Sequence, residues 1–139
     1  MKTNRLFLLL VACFFASSIK ATIHTVNSGS YYYAPTSLTV NLGDTVEWIN
    51  DGGTHNVNGN INSITNLSFN NPQTFFSNPT NVFGAVLYTH IFTTPGVYNY
   101  DCSVGNHAAN GMVGSITVSA SNSIYDIVSN SADHTTLEV

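Results

Sequence analysis

Cys102, His107 and Met112 lie in one stretch, YDCSVGNHAANGMVGSITV, with the spacing C-x4-H-x4-M. That spacing strings a thiolate, an imidazole and a thioether along a single connection between two strand patterns. A second histidine, His55 in GGTHNV, follows an earlier strand pattern. Two imidazoles, a thiolate and a weak, long thioether are a known donor set for mononuclear copper in electron transfer. The thiolate gives a strong covalent bond, the imidazoles suit both Cu(I) and Cu(II), and the thioether helps tune the potential. Singly, each residue has an ordinary reading: a Cys on an aromatic strand is a small hydrophobe, a His sits at the surface, a Met fills a gap. Their joint order and spacing favour the ligand reading. His24, His90 and His134 lack such company and read as structural or solvent-exposed.

The elements that must hold these residues read as an all-β sandwich. Short strand patterns recur at regular spacing between turn signals: residues 22–27, 37–40, 45–50, 85–93, 97–102 and 114–118. Val46 and Trp48 share one face of TVEWIN and are assigned to the core. Tyr98, Tyr100 and Cys102 share one face of VYNYDC, while Val97, Asn99 and Asp101 share the other. If the tyrosines pack inward, Cys102 reaches the end of the sandwich from its core side. A buried thiolate without a positive partner is costly, and a metal removes that cost. Residues 58–84 are rich in Asn, with Ile64, Leu67, Phe69, Phe75 and Phe76 as apolar anchors. So long a connection predicts a short strand or helical turn packed on the sandwich. Asn66-Leu67-Ser68 is a formal glycosylation sequon. No helix is expected before residue 122.

The chain has 139 residues, enough for one domain with attachments. Residues 1–21 read as an export signal: Lys2 and Arg5, an apolar run from Leu6 to Phe15, then small residues. Cleavage after Ala21 is favoured over cleavage after Ser18, and the apolar run is too short to span a bilayer comfortably. A rival reading takes LVAC at 10–13 as a lipoprotein processing site that leaves Cys13 lipidated. Beyond residue 20 there is no Lys or Arg, against seven Asp and Glu. Nucleic acid and anionic membranes are therefore poor partners, whereas a basic redox protein fits the charge. Without the signal, Cys102 is the one remaining thiol, so no internal disulfide can form. An unpaired thiol in an oxidising compartment needs a reason to persist, and a metal bond supplies one.

GDTVEW, THNV, TTPGVYNYDC and HAANGMVGSITV, in this order, resemble the blue-copper (cupredoxin) family, which includes plastocyanin, pseudoazurin and the phytocyanins. The resemblance spans residues 22–119 and implies a Greek-key β-sandwich holding one type 1 copper. Carried over, it makes His55, Cys102, His107 and Met112 the metal ligands. It makes Asn56 a brace that bonds toward Ser103 behind them. It also makes His107 the electron port, within a surface patch of Val104, Ala108 and Ala109. The implied function is that of an exported, monomeric one-electron carrier between redox partners, not an enzyme. The alternatives are copper delivery without a redox role, or an adhesion module that carries a copper domain. The C-x4-H-x4-M spacing is nearest the phytocyanins, but the disulfide of that branch cannot be made here, and GMVG is plastocyanin-like. Residues 120–139 read as a linker and short tail with apolar residues at helical spacing (Ile124, Ile127, Val128). That tail resembles the opening helices of a fasciclin-like domain.

Overall fold

A computed structural model describes residues 21–120. Residues 1–20 of the expected export signal, with Cys13, and residues 121–139 of the tail expected to be fasciclin-like, with His134, lie outside the described residues. Seven strands follow in chain order: β1 (Ile23–Gly29), β2 (Tyr32–Ala34), β3 (Ser37–Asn41), β4 (Thr45–Asn50), β5 (Val86–Ile91), β6 (Gly96–Asp101) and β7 (Val113–Ser119). They form one sheet in the order β2-β1-β4-β5 and a second in the order β3-β7-β6. β1 runs parallel to β4, and β3 runs parallel to β7; the remaining pairs are antiparallel. No helix occurs among the described residues.

Alternation decides the faces. Val46, Trp48 and Asn50 of β4 are buried in turn, as are Gly114, Ile116 and Val118 of β7. Tyr98 and Tyr100 also point inward, and Cys102 continues their side at full burial. Aromatic packing closes the core, with Trp48 edge-on to Tyr100 at 5.3 Å and Tyr33 edge-on to Tyr100 at 4.9 Å. Such pairs each add about 0.5–1.5 kcal/mol beyond the area they bury.

Two expectations need correction, and one strand has no signal in the sequence. β2, a strand of only three residues, gives no period-two signal of its own and is defined by its pairing with β1. Of the five apolar anchors proposed for residues 58–84, only Phe75 enters the core; Phe69 is half-buried, and Ile64, Leu67 and Phe76 are exposed. The segment forms no named strand, and Asn66 N donating to Asn62 O (2.8 Å) closes a single i→i+4 turn within it. It is held by isolated bridges (His55 to Thr80, Asn58 to Phe76 and Asp101, Ile61 to Ser68) and by Asn side chains. Asn71 alone donates to Gly59 O and Asn99 O and accepts from Asn99 N. Asp101 lies on the face assigned outward, yet it is buried, because this Asn-rich segment covers it.

The sandwich has two unlike poles. At one, the ends of β4 and β6 deliver the chain to His55 and Cys102. At the other, Asp44 is buried and accepts hydrogen bonds from Thr22 N (2.8 Å), Asn41 N (2.9 Å) and His24 Nε2 (2.9 Å). These tie the start of β1 to the β3–β4 turn.

Candidate metal centre

His55 is delivered by a short, strongly constrained connection after β4. Asn50, fully buried at the strand end, turns its amide onto the loop: Nδ2 donates to Gly53 O and Val82 O (both 3.1 Å), and Oδ1 accepts from Gly52 N (3.0 Å). Gly52 and Gly53 adopt φ of 122° and 91°, backbone that favours glycine. A Cβ at Gly53 would lie 2.7 Å from His55 Nε2, so the chain wraps closely around the imidazole. His55 Nε2–H donates to Gly52 O at 2.9 Å, which leaves Nδ1 with its lone pair toward the centre. Main-chain bonds to Thr80 in both directions fix the residue's backbone.

The other donors come from the 102–112 connection. Cys102 N donates to Met112 O (3.1 Å) and Met112 N donates to His107 O (3.0 Å), so the loop folds back and sets Met112 beside Cys102. The Nδ1 atoms of His55 and His107 lie 3.2 Å apart, and Cys102 Sγ lies 3.9 Å and 3.5 Å from them. Three donor atoms thus converge within 4.8 Å of one another. Met112 is fully buried and supplies the thioether. The set contains two imidazoles, one thiolate and one thioether, and it fits a single mononuclear copper.

Burial shifts two of these side chains toward their neutral forms. Burial pushes the His55 pKa below the usual imidazole range; the Gly52 hydrogen bond opposes this and the nearby His107 adds to it. The ring is thereby kept neutral, as a ligand must be. Burial pushes the Cys102 thiol up, against main-chain N–H groups of Asn56 and Val104 that favour the thiolate, and the Asp101 charge pushes it further up. A metal displaces that proton, so binding and deprotonation are coupled.

Asn56 sits where the brace was expected. Its Nδ2 donates to Ser103 Oγ (2.9 Å) and Ser77 O (3.2 Å), and its Oδ1 accepts from Ser103 N (2.9 Å). Tyr33 OH donates to Asn56 O from the core side. The His55 segment is therefore tied directly to the Cys102 loop.

The expected surface patch is placed differently. Ala109 is exposed, but Val104 is half-buried against the core and Ala108 is 4 % exposed, so Ala108 faces the inside of the loop. The rim of His107 is a cleft of about 290 Å³ lined by Ser30, Tyr31, Gly53, Thr54 and His55. Tyr31, with φ of 63°, stands edge-on to the His107 ring at 5.1 Å. Its sequence position in SGSYYYA carries no signal for this role, whereas the Gly pair ahead of THNV marks a close approach of backbone. His24 and His90 belong to other surroundings: His24 pairs with Asp44, and His90 packs among Phe75, Tyr88 and Phe92.

Residues 20–119 match the family model described as copper binding proteins, plastocyanin/azurin family. The chain belongs to this family. It is similar to a plastocyanin of Scenedesmus fuscus, at 31% identity over 96 residues that cover 66% of this chain and 91% of the relative. Among solved structures it is similar to a novel purple cupredoxin from Nitrosopumilus maritimus, at 31% identity and a TM-score of 0.52, covering 68% of this chain and 98% of the other. It is also similar to a copper-containing nitrite reductase from Thermus scotoductus SA-01, at 25% identity and a TM-score of 0.52. There the match covers 68% of this chain but 22% of the enzyme. The all-β sandwich and the copper ligand set are those of a cupredoxin, and copper is the cofactor this family binds.

Proposed function

We propose that this cupredoxin is an exported one-electron carrier, with His107 as the port through which the electron passes. One observation carries the reading. His55, Cys102 and Met112 are buried at 2 % exposure or less, and His107 is the one ligand that reaches the surface. Copper bound there supplies a one-electron couple, and this chain's residues supply the rest. Gly52 O orients His55, Asn56 locks the Cys102 loop to the His55 segment, and buried aromatic packing behind the loop keeps water out. A donor set held this firmly changes little between oxidation states, which favours fast exchange.

The described residues contain no Lys or Arg, and Asp51, tied to Tyr32 OH at 2.9 Å, is an exposed acid on the connection that leads to His55. A partner with a basic docking face complements this charge. No helix among the described residues is long and apolar enough to cross a membrane. Carrier chemistry needs no substrate pocket, and a single convergent donor group is present among the described residues.

Absorption spectroscopy and voltammetry test the proposal. The copper-loaded protein is expected to show an intense thiolate-to-copper band in the visible, absent in Cys102→Ser, and a reversible one-electron wave. A band that survives Cys102→Ser defeats the ligand assignment. Slow exchange with ready metal loss would favour copper delivery instead.

A further inference from the structure

One buried acid has no part in ligation. Asp101 is 1 % exposed and directly precedes Cys102. Its carboxylate accepts from Ser63 N (2.6 Å), Ser63 Oγ (2.9 Å) and Asn58 Nδ2 (2.8 Å). Its main chain exchanges hydrogen bonds with Asn58 in both directions, at 3.0 Å and 2.9 Å. Asn58 lies three residues after His55, so the bridge links the two segments that carry ligands. All three side-chain contacts are donors, which suits the ionised, acceptor-only form. No cation answers the charge, because the described residues contain neither Lys nor Arg.

Three donors converge on the carboxylate, so only an acceptor at both oxygens can staple Asn58 to Ser63, and the charge that comes with it is buried without a cation. Hydrogen bonds spread the charge without cancelling it, and interior surroundings screen it weakly. Cys102 follows Asp101 directly in the chain and is likewise buried, so its sulfur lies within reach of that field. Reduction adds one negative charge to the metal–thiolate unit, and a fixed anion nearby opposes it.

We propose that Asp101 is a potential-setting residue of the copper centre, whose buried carboxylate, held by Asn58 and Ser63 behind the Cys102 strand, lowers the reduction potential. The inference rests on the copper reading above. It also gives the Asn-rich segment a role, since the Ser63 hydrogen bonds set how far the charge is spread.

Redox titration of the copper-loaded protein, followed by its visible band, tests this with two variants of opposite sign. Asp101→Asn removes the charge and is expected to raise the potential, favouring Cu(I) about tenfold, or about 59 mV for a one-electron couple. Ser63→Ala removes one donor and leaves the charge, so its potential is expected to fall. Generic loosening of the loop would move both variants the same way, and that result overturns the proposal. So does an unchanged potential in Asp101→Asn. If Asp101→Asn fails to fold, Ser63→Ala still decides: a lower potential supports the proposal, and an equal or higher one overturns it. A parent protein without the visible band would instead overturn the copper reading itself, so the two failures are distinct.

Discussion

Asn56→Ala should weaken the protein even without metal, and by an amount the hydrogen bonds set. The side chain makes three: two with Ser103 and one with Ser77 O. A typical hydrogen bond contributes about 1 kcal/mol net, and a buried group left unpaired costs more. Ser103 is exposed and can turn to water, whereas Ser77 is buried and keeps an unmet carbonyl. The sum is a loss of about 2–3 kcal/mol. For a domain of about this size that lowers Tm by roughly 10–20 °C. Thermal unfolding of the apo protein, followed by circular dichroism, measures it. Ser103→Ala should cost about 1 kcal/mol, and the double variant little more than Asn56→Ala alone, because the two residues share their bonds. Copper affinity should fall about 10- to 100-fold in Asn56→Ala, as for other partners of ligands. An apo Tm within a few degrees of the parent, or a double variant equal to the sum of the singles, would refute the brace.

Two further outcomes follow from other parts of the fold. Gly53→Ala should disturb the copper EPR spectrum, because its Cβ meets His55 Nε2 at 2.7 Å; Gly43→Ala has the same positive φ but open space, and should cost stability without changing the spectrum. Equal spectra from the two variants would show that close approach to His55 is irrelevant. Burial alone would raise the Asp44 carboxyl, but Thr22 N–H, His24 and Asn41 N–H outweigh it and hold the pKa below its ordinary 3.8. The folded state therefore favours the ionised form. That contribution is complete above the ordinary value and is lost as pH falls through the lower folded value. Tm measured from roughly pH 5 to pH 2 should drop less steeply in Asp44→Asn than in the parent, and parallel curves would remove Asp44 from the account.

Residue spacing made Cys102, His107 and Met112 legible because one loop between adjacent strands carries them in chain order, while His55 stands out as the histidine that follows the β4 pattern. Period-two alternation likewise places Tyr98, Tyr100 and Cys102 on one side of their strand, and that side faces the core. The same rule misplaced Asp101. Alternation separates two faces of a strand but cannot say that a distant Asn-rich segment will lie over the outer one. The anchors in that segment misled for a related reason: polar side chains such as Asn58 and Asn71 hold it by directed bonds that composition does not display. Tyr31 has no signal in the sequence because its nearness to His107 arises from the β1–β2 turn, far from the ligand loop along the chain. Small residues near an exposed ligand fit a contact patch, which points Ala108 to the surface, yet the tight turns of 104–111 rotate it inward.

The parallel pairings have a mechanical consequence. β1 enters beside Thr45, with Thr22 N bonded to Asp44, and β7 ends beside Asn41, where Leu42 N donates to Ser119 O. Entrance and exit of the described domain therefore share one pole, and the His107 rim occupies the other. At about 3.3 Å per residue, the seven residues of β7 separate the two poles by roughly 20 Å. Whatever is joined to either end of the domain pulls from the far side. A tether at residue 21 or 120 would hold the molecule like a lamp on a stalk, with its redox face turned outward and free to sweep through the surrounding volume.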